Sequence, residues 1–72
     1  MELKIGQIWR HYKGKNYKIL LFCKHSETGE ELVVYQQEEE GNIYARPMDL
    51  FFQNAEWEGK TVPRFTLITD NQ

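Results

Sequence analysis

The side chains of this chain best suited to chemistry are two arginines and four tyrosines, Arg10 and Arg46 with Tyr12, Tyr17, Tyr35 and Tyr44, joined by His25, Glu31 and Cys23. A guanidinium presents forked donors that fit a carboxylate or phosphate, and phenol rings beside it supply stacking area and exclude water. Such a set is suited to capturing a ligand through a negatively charged group. It is poorly suited to catalysis. Cys23 and His25 stand two apart and invite a nucleophile-and-base pairing, but same-face neighbours on a strand lie about 7 Å apart, and no glycine-rich oxyanion turn accompanies them. No catalytic residue is assigned. His11, His25 and a glutamate lack the helix spacing or third soft ligand of a metal site, so neither a metal nor another cofactor is expected. Ser26 and Thr28 have the character of turn residues whose hydroxyls cap backbone amides.

Whether these groups meet depends on a long β-hairpin expected between Tyr17 and Gln37. Tyr17, Ile19, Leu20, Leu21 and Phe22, then Leu32, Val33, Val34 and Tyr35, are aromatic, β-branched or leucine, and Ser26-Glu27-Thr28-Gly29 divides them. A type I turn through Glu27 and Thr28 with Gly29 in the left-handed region predicts a three-residue loop with a bulge. Antiparallel pairing then sets His25 opposite Glu31, Cys23 opposite Val33, Phe22 opposite Val34 and Leu21 opposite Tyr35. One face would carry Leu20, Phe22, Leu32 and Val34 as core. The other would carry Leu21, Cys23, His25, Glu31, Val33 and Tyr35, a mixed face available for a site.

The remaining elements are placed against that hairpin. Lys4 to Tyr12 reads as a first strand, followed by a turn at Lys13-Gly14-Lys15-Asn16. A four-residue loop there pairs Tyr12 with Tyr17 and Trp9 with Leu20; a two-residue turn would set Arg10 opposite Tyr17 instead. Glu38-Glu39-Glu40-Gly41-Asn42 is an acidic turn, and Ile43 to Arg46 a short strand pairing Tyr44 with Tyr35 and Arg46 with Val33, with Ile43 and Ala45 toward the core. Pro47 stops it. Met48 to Phe51 reads as one helical turn with Phe51 or Phe52 buried, and Glu58-Gly59 marks a hairpin between strands at 53–57 and 61–67, Pro63 confining the latter to an edge or bulge. Residues 69–72 are expected to be frayed. Four or five antiparallel strands with one helical turn before the final hairpin predict an all-β, SH3-like small barrel, its core drawn from Trp9, Leu20, Phe22, Leu32, Val34 and Phe51.

A chain of 72 residues makes one domain with a small core, filled here by two tryptophans, four tyrosines and four phenylalanines. A single cysteine excludes an internal disulfide framework and suits a reducing cytoplasm. The start MELKIGQIW has no apolar run of a signal peptide, and no stretch approaches the length that spans a bilayer, so no membrane association is expected. Net charge is −2 but divided: Lys4, Arg10, Lys13, Lys15, Lys18 and Lys24 crowd the first third, while glutamates dominate residues 26–59. That division would orient a partner, or simply protect exposed strand edges.

The runs Arg10-His11-Tyr12-Lys13-Gly14, His25-Ser26-Glu27-Thr28-Gly29-Glu30-Glu31, Val33-Val34-Tyr35, Arg46-Pro47 and Val62-Pro63-Arg64-Phe65 resemble, in this order, a family of short bacterial proteins catalogued as the domain of unknown function sixteen fifty-three. The resemblance spans residues 6–65. It implies a self-contained bacterial domain and supplies no activity. The Glu38 to Asn42 loop departs from it, since an aromatic residue would be expected there.

The function expected from these residues is a non-enzymatic binding module, monomeric or weakly dimeric, that recognises a peptide or small anionic ligand through Arg10, Tyr12, Tyr17, His25, Glu31, Tyr35, Tyr44 and Arg46. The alternative is single-stranded nucleic acid, chiefly RNA, with Lys13, Lys15, Lys18 and Lys24 following phosphates and Tyr12 or Tyr17 stacking on a base. Net acidity weighs against that alternative. A third possibility is a purely structural or accessory domain in which the same groups form a satisfied polar network.

Overall fold

Two hairpin turns set the register of the whole sheet in the computed structural model, which describes residues 3–69. Strand β1 (Ile8–His11) joins β2 (Asn16–Lys24) through a three-residue loop, Tyr12-Lys13-Gly14, that the facing pair His11 and Lys15 closes. The His11 amide donates to the Lys15 carbonyl and the Gly14 amide to the His11 carbonyl, both at 2.7 Å, with Gly14 at φ 107°. Strand β3 (Glu31–Gln37) follows β2 through a longer loop of four residues, Ser26-Glu27-Thr28-Gly29, that the facing pair His25 and Glu30 closes. Here the His25 amide donates to the Glu30 carbonyl at 2.9 Å and the Gly29 amide to the His25 carbonyl at 2.8 Å, with Gly29 at φ 77°. The expected loop lengths are therefore exchanged. The physical reason lies in the side chains at the turns. His25 Nδ1 accepts from the Glu27 and Thr28 amides at 3.1 and 3.4 Å, and Thr28 Oγ1 accepts from the Glu30 amide at 3.2 Å, so the four-residue loop satisfies its own donors. His11 Nδ1 accepts from the Lys13 amide at 3.2 Å in the shorter turn.

The register moves accordingly. Trp9 faces Tyr17 rather than Leu20, and Arg10 faces Asn16. Glu31 faces Lys24, so the expected His25–Glu31 pair does not form, and Phe22 faces Val33. Farther along, the pairing slips between Ile19 and Leu21, a bulge that inserts an extra residue and reverses the alternation of β2. Val33 and Tyr35 are consequently buried, together with Ile19, whereas Leu20, Leu32 and Val34 are only half-buried and lie outside the core cluster. Of the expected core, Trp9 and Phe51 are buried and Phe22 packs against the cluster from a partly buried position.

Strand β4 (Ile43–Pro47) pairs with β3 as the sequence predicts, Tyr44 against Tyr35 and Arg46 against Val33. Cross-strand partners share a face, so Tyr44 and Arg46 turn toward the core side, while Ile43 and Ala45 are exposed, the reverse of the expectation. The helical turn α1 (Met48–Phe51) follows Pro47 and buries Phe51 completely. Strands β5 (Asn54–Trp57) and β6 (Lys60–Pro63) form a separate two-stranded hairpin, with Glu58 at φ 52° in its tight turn. The single last strand expected over 61–67 is in fact two. Pro63 lacks an amide donor and ends β6; Arg64 turns the corner, donating its amide to the Gln53 carbonyl and accepting from the Tyr12 amide; β7 (Phe65–Thr69) then pairs with β1. Thr69, expected to be frayed, pairs with Ile8, and the rest of that tail lies outside the described residues.

The antiparallel sheet runs β4-β3-β2-β1-β7. Its end strands are not paired with one another, so the all-β, SH3-like barrel does not close. Trp9, Ile19, Val33, Tyr35, Phe51 and Phe65 form the core. Phe51 stacks on Phe65 at 4.2 Å between ring centres and meets Trp9 and Tyr35 edge-on at 5.5 and 5.6 Å. A buried polar group pins the entry to β1: Gln7 Oε1 accepts from Trp9 Nε1 at 3.0 Å and from the Lys4 amide at 2.8 Å. Among the described residues no helix is long and apolar enough to cross a membrane.

Candidate functional site

Because the polar groups and the core occupy one face, the site lies where the core opens to solvent. An open cleft of about 280 Å³ is lined by His11, Tyr17, Tyr35, Tyr44, Arg46 and Phe65. The sheet register brings them together: His11 faces Phe65 across β1 and β7, Tyr35 faces Tyr44 across β3 and β4, and Tyr17 projects between them from β2. Tyr17 meets Tyr35, Phe65 and Tyr44 edge-on at 5.4, 5.8 and 6.2 Å, the geometry that ring quadrupoles prefer. Phe51 underpins the cleft through its contacts with Tyr35 and Phe65. Burial raises the pKa of both Tyr17 and Tyr35, so both phenols are neutral at physiological pH.

Arg46 is the cation of this cleft. Its Nε donates to the Leu50 carbonyl of α1 at 3.3 Å, and its charge beside Tyr35 partly offsets the rise that burial gives that phenol's pKa. The ion pairs among the described residues are Lys15–Glu39 at 3.2 Å and Lys24–Glu31 at 3.9 Å, which leaves Arg46 and Arg64 without a carboxylate. His11 sits between these two arginines. Burial lowers its pKa first, and the positive charges of Arg64, Lys13 and Arg46 lower it further. Its Nδ1 is occupied as an acceptor in the turn, so the neutral ring carries its proton on Nε2 and acts there as a donor. Arg64 lies over the Tyr12 ring, 5.9 Å from its centre, and its Nε is buried without an acceptor. Gln37, buried opposite Tyr17 across β2 and β3, also keeps an unpartnered Oε1.

Of the residues expected to form the site, Tyr17, Tyr35, Tyr44 and Arg46 come together. Tyr12 lies next to them, its ring 4.5 Å from His11. Arg10 is spent on an exposed hydrogen bond from Nε to Asn16 Oδ1 at 3.1 Å. His25 caps its own turn and Glu31 pairs with Lys24, both away from the cleft, because the loop between them holds four residues. His11 and Phe65 complete the lining without having been expected there. His11 alternates with Trp9 on the core side, a signal that becomes readable only once core and site share a face; Phe65 needed the corner at Arg64. Two of the four lysines proposed to track a nucleic-acid backbone, Lys15 and Lys24, are tied to glutamates. Among the described residues no three His, Cys, Asp or Glu side chains gather as a metal site requires.

The family model described as "Protein of unknown function (DUF1653)" matches residues 7–67. The chain belongs to the DUF1653 family. A crystal structure of a DUF1653 protein from Bordetella bronchiseptica is similar to it, with a TM-score of 0.80 and 26% sequence identity, over 93% of this chain and 88% of that one. No curated protein matches. In this DUF1653 domain each motif has a structural meaning. The R-H-Y-K-G and H-S-E-T-G runs are the two histidine-capped turns, Arg46-Pro47 carries the cleft cation into α1, and V-P-R-F is the corner that sends the chain from one sheet to the other.

Proposed function

We propose that this DUF1653 domain is a non-enzymatic binding module that holds its partner through an anionic group on Arg46 in the tyrosine-lined cleft. The observation that carries this is a guanidinium without a carboxylate partner among the described residues, set among four aromatic rings and a neutral histidine donor. The bond from Nε to the Leu50 carbonyl fixes the plane of the fork, whose terminal nitrogens would be shared between the neighbouring Tyr35 phenol and a ligand. The surrounding rings lower the local dielectric, which strengthens a charge-assisted hydrogen bond. His11 Nε2 adds a second donor whose position is set by the turn.

Calorimetric titration with inorganic phosphate tests this. Arg46→Gln is expected to lose phosphate binding by at least tenfold, and Arg46→Lys to recover only part of it, because a point charge replaces a fork. Loss of the single hydrogen bond to Leu50 costs about 1 kcal/mol, a drop in Tm of roughly 4–8 °C for a domain of this size. If Arg46→Gln unfolds the domain, or binds phosphate as well as the parent, Arg46 is a structural staple and the proposal fails.

A further inference from the structure

The cleft continues outward as a ribbon of rings. From Tyr44 the successive ring-centre distances are 6.2 Å to Tyr17, 6.3 Å on to His11, 4.5 Å to Tyr12 and 5.5 Å to Trp57. Both ends of this ribbon are open, Tyr44 and Trp57 each being 43% exposed. Cations flank it. Arg46 stands at the Tyr44 end, and beyond His11 the Lys13 ammonium and the Arg64 guanidinium lie 5.8 and 5.9 Å from the Tyr12 centre. None of these three has a carboxylate partner among the described residues, and Arg64 Nε is buried with its proton unclaimed. A second hollow of about 230 Å³, which shares His11 as a wall with the first, lies beside Tyr12 and Trp57.

We infer that the partner is a single-stranded nucleic acid lying along this ribbon, its bases on the exposed rings and its phosphates on Arg46, Arg64 and Lys13. The inference rests on the anion-binding reading of the cleft and specifies its ligand. A nucleic-acid strand offers a flat ring and an anion in every unit, and this surface offers the complementary repeat of rings with cations alongside. An acidic peptide supplies the charges but not a ring for each of them. The net charge of −2 does not oppose this. Charges are screened beyond about 8 Å in physiological salt, and Glu39 is already engaged by Lys15. The surface differs from the basic hairpin expected from the sequence: it retains Lys13 but replaces Lys15, Lys18 and Lys24 with two arginines from β4 and the corner before β7.

Fluorescence anisotropy with labelled decauridine tests the inference, with a labelled acidic decapeptide and unlabelled inorganic phosphate as the other arms. Decauridine is expected to bind more tightly than the peptide, with a slope of log K against log salt near ~−2 from three phosphate contacts. Trp57→Ala should weaken decauridine by about 5- to 150-fold, Trp57→Phe should restore most of the loss, and phosphate binding should be unchanged in both. If Trp57→Ala leaves decauridine affinity intact, or the peptide binds as tightly, the ribbon is not a nucleic-acid surface, while retained phosphate binding keeps the cleft reading. If neither phosphate nor decauridine binds the parent domain, both readings fall.

Discussion

Replacing Phe51 by alanine probes the contact on which both core and cleft rest. Phe51 is fully buried, stacked on Phe65 and edge-on to Trp9, Tyr35 and Phe52. Truncating such a ring costs about 3–5 kcal/mol, from lost transfer energy and the cavity left behind. A domain of this length has about 4–11 kcal/mol of total stability, so one substitution removes a large share of it. In urea, with a slope of about 1–1.5 kcal/mol per molar, the unfolding midpoint should fall by at least about 2 M. Phe52→Ala is the control: its ring is 49% exposed, and its loss should cost no more than about 2 kcal/mol. Equilibrium urea unfolding followed by tryptophan fluorescence measures both. A Phe51→Ala penalty below about 1 kcal/mol would refute the packing described, because no fully enclosed phenylalanine is so cheaply removed.

Two further outcomes concern the turns. The folded-state pKa of His11 is lowered, by burial first and then by Arg64, Lys13 and Arg46, so the unfolded chain binds a proton there more readily. His11 thus favours folding fully above its unfolded value near ~6.5, and that contribution is lost as pH falls toward the lower folded value. His11→Asn keeps an acceptor for the Lys13 amide and has no titrating ring, so the stability difference between parent and variant, from urea midpoints at pH 7 and pH 5, should move against the parent on acidification. Gly14→Ala meets no atom within 4 Å of the added carbon, so its cost is that of the positive φ alone, about 1–2 kcal/mol by the same unfolding assay; a neutral result would mean the first turn is not three residues long.

How much of this was legible in the sequence depends on which interaction decided each element. The β3–β4 pairing was readable because Tyr44 and Arg46 follow an acidic turn of fixed length, and it placed Arg46 beside the tyrosines. The helical turn after Pro47 was readable from proline geometry. The faces were not. A one-residue change of register turns every side chain over, and here the register depended on histidine imidazoles accepting backbone amides, which lets four residues close one loop and three the other. The bulge at Leu20 has no glycine or proline to announce it, yet it puts Tyr17, Ile19 and Phe22 on one side. His11 therefore read as a neighbour of Trp9 on the core side, opposite Arg10, rather than as a wall of the site. Phe65 could not be placed without knowing that Arg64 divides two strands.

The β5–β6 hairpin shares no ladder with the main sheet, and a two-stranded ribbon in water is marginal by itself. What anchors it is the corner at Arg64, where single hydrogen bonds join Gln53 to Arg64 and Arg64 to Tyr12, and the edge contact of Trp57 with Tyr12. The hairpin is thus held at its base by the Arg64 corner and at its tip by Trp57, with Ala55 buried between them. A molecule seated against both Trp57 and Tyr12 would bridge two pieces of chain that share no strand pairing, and part of its binding energy would appear as order in the hairpin.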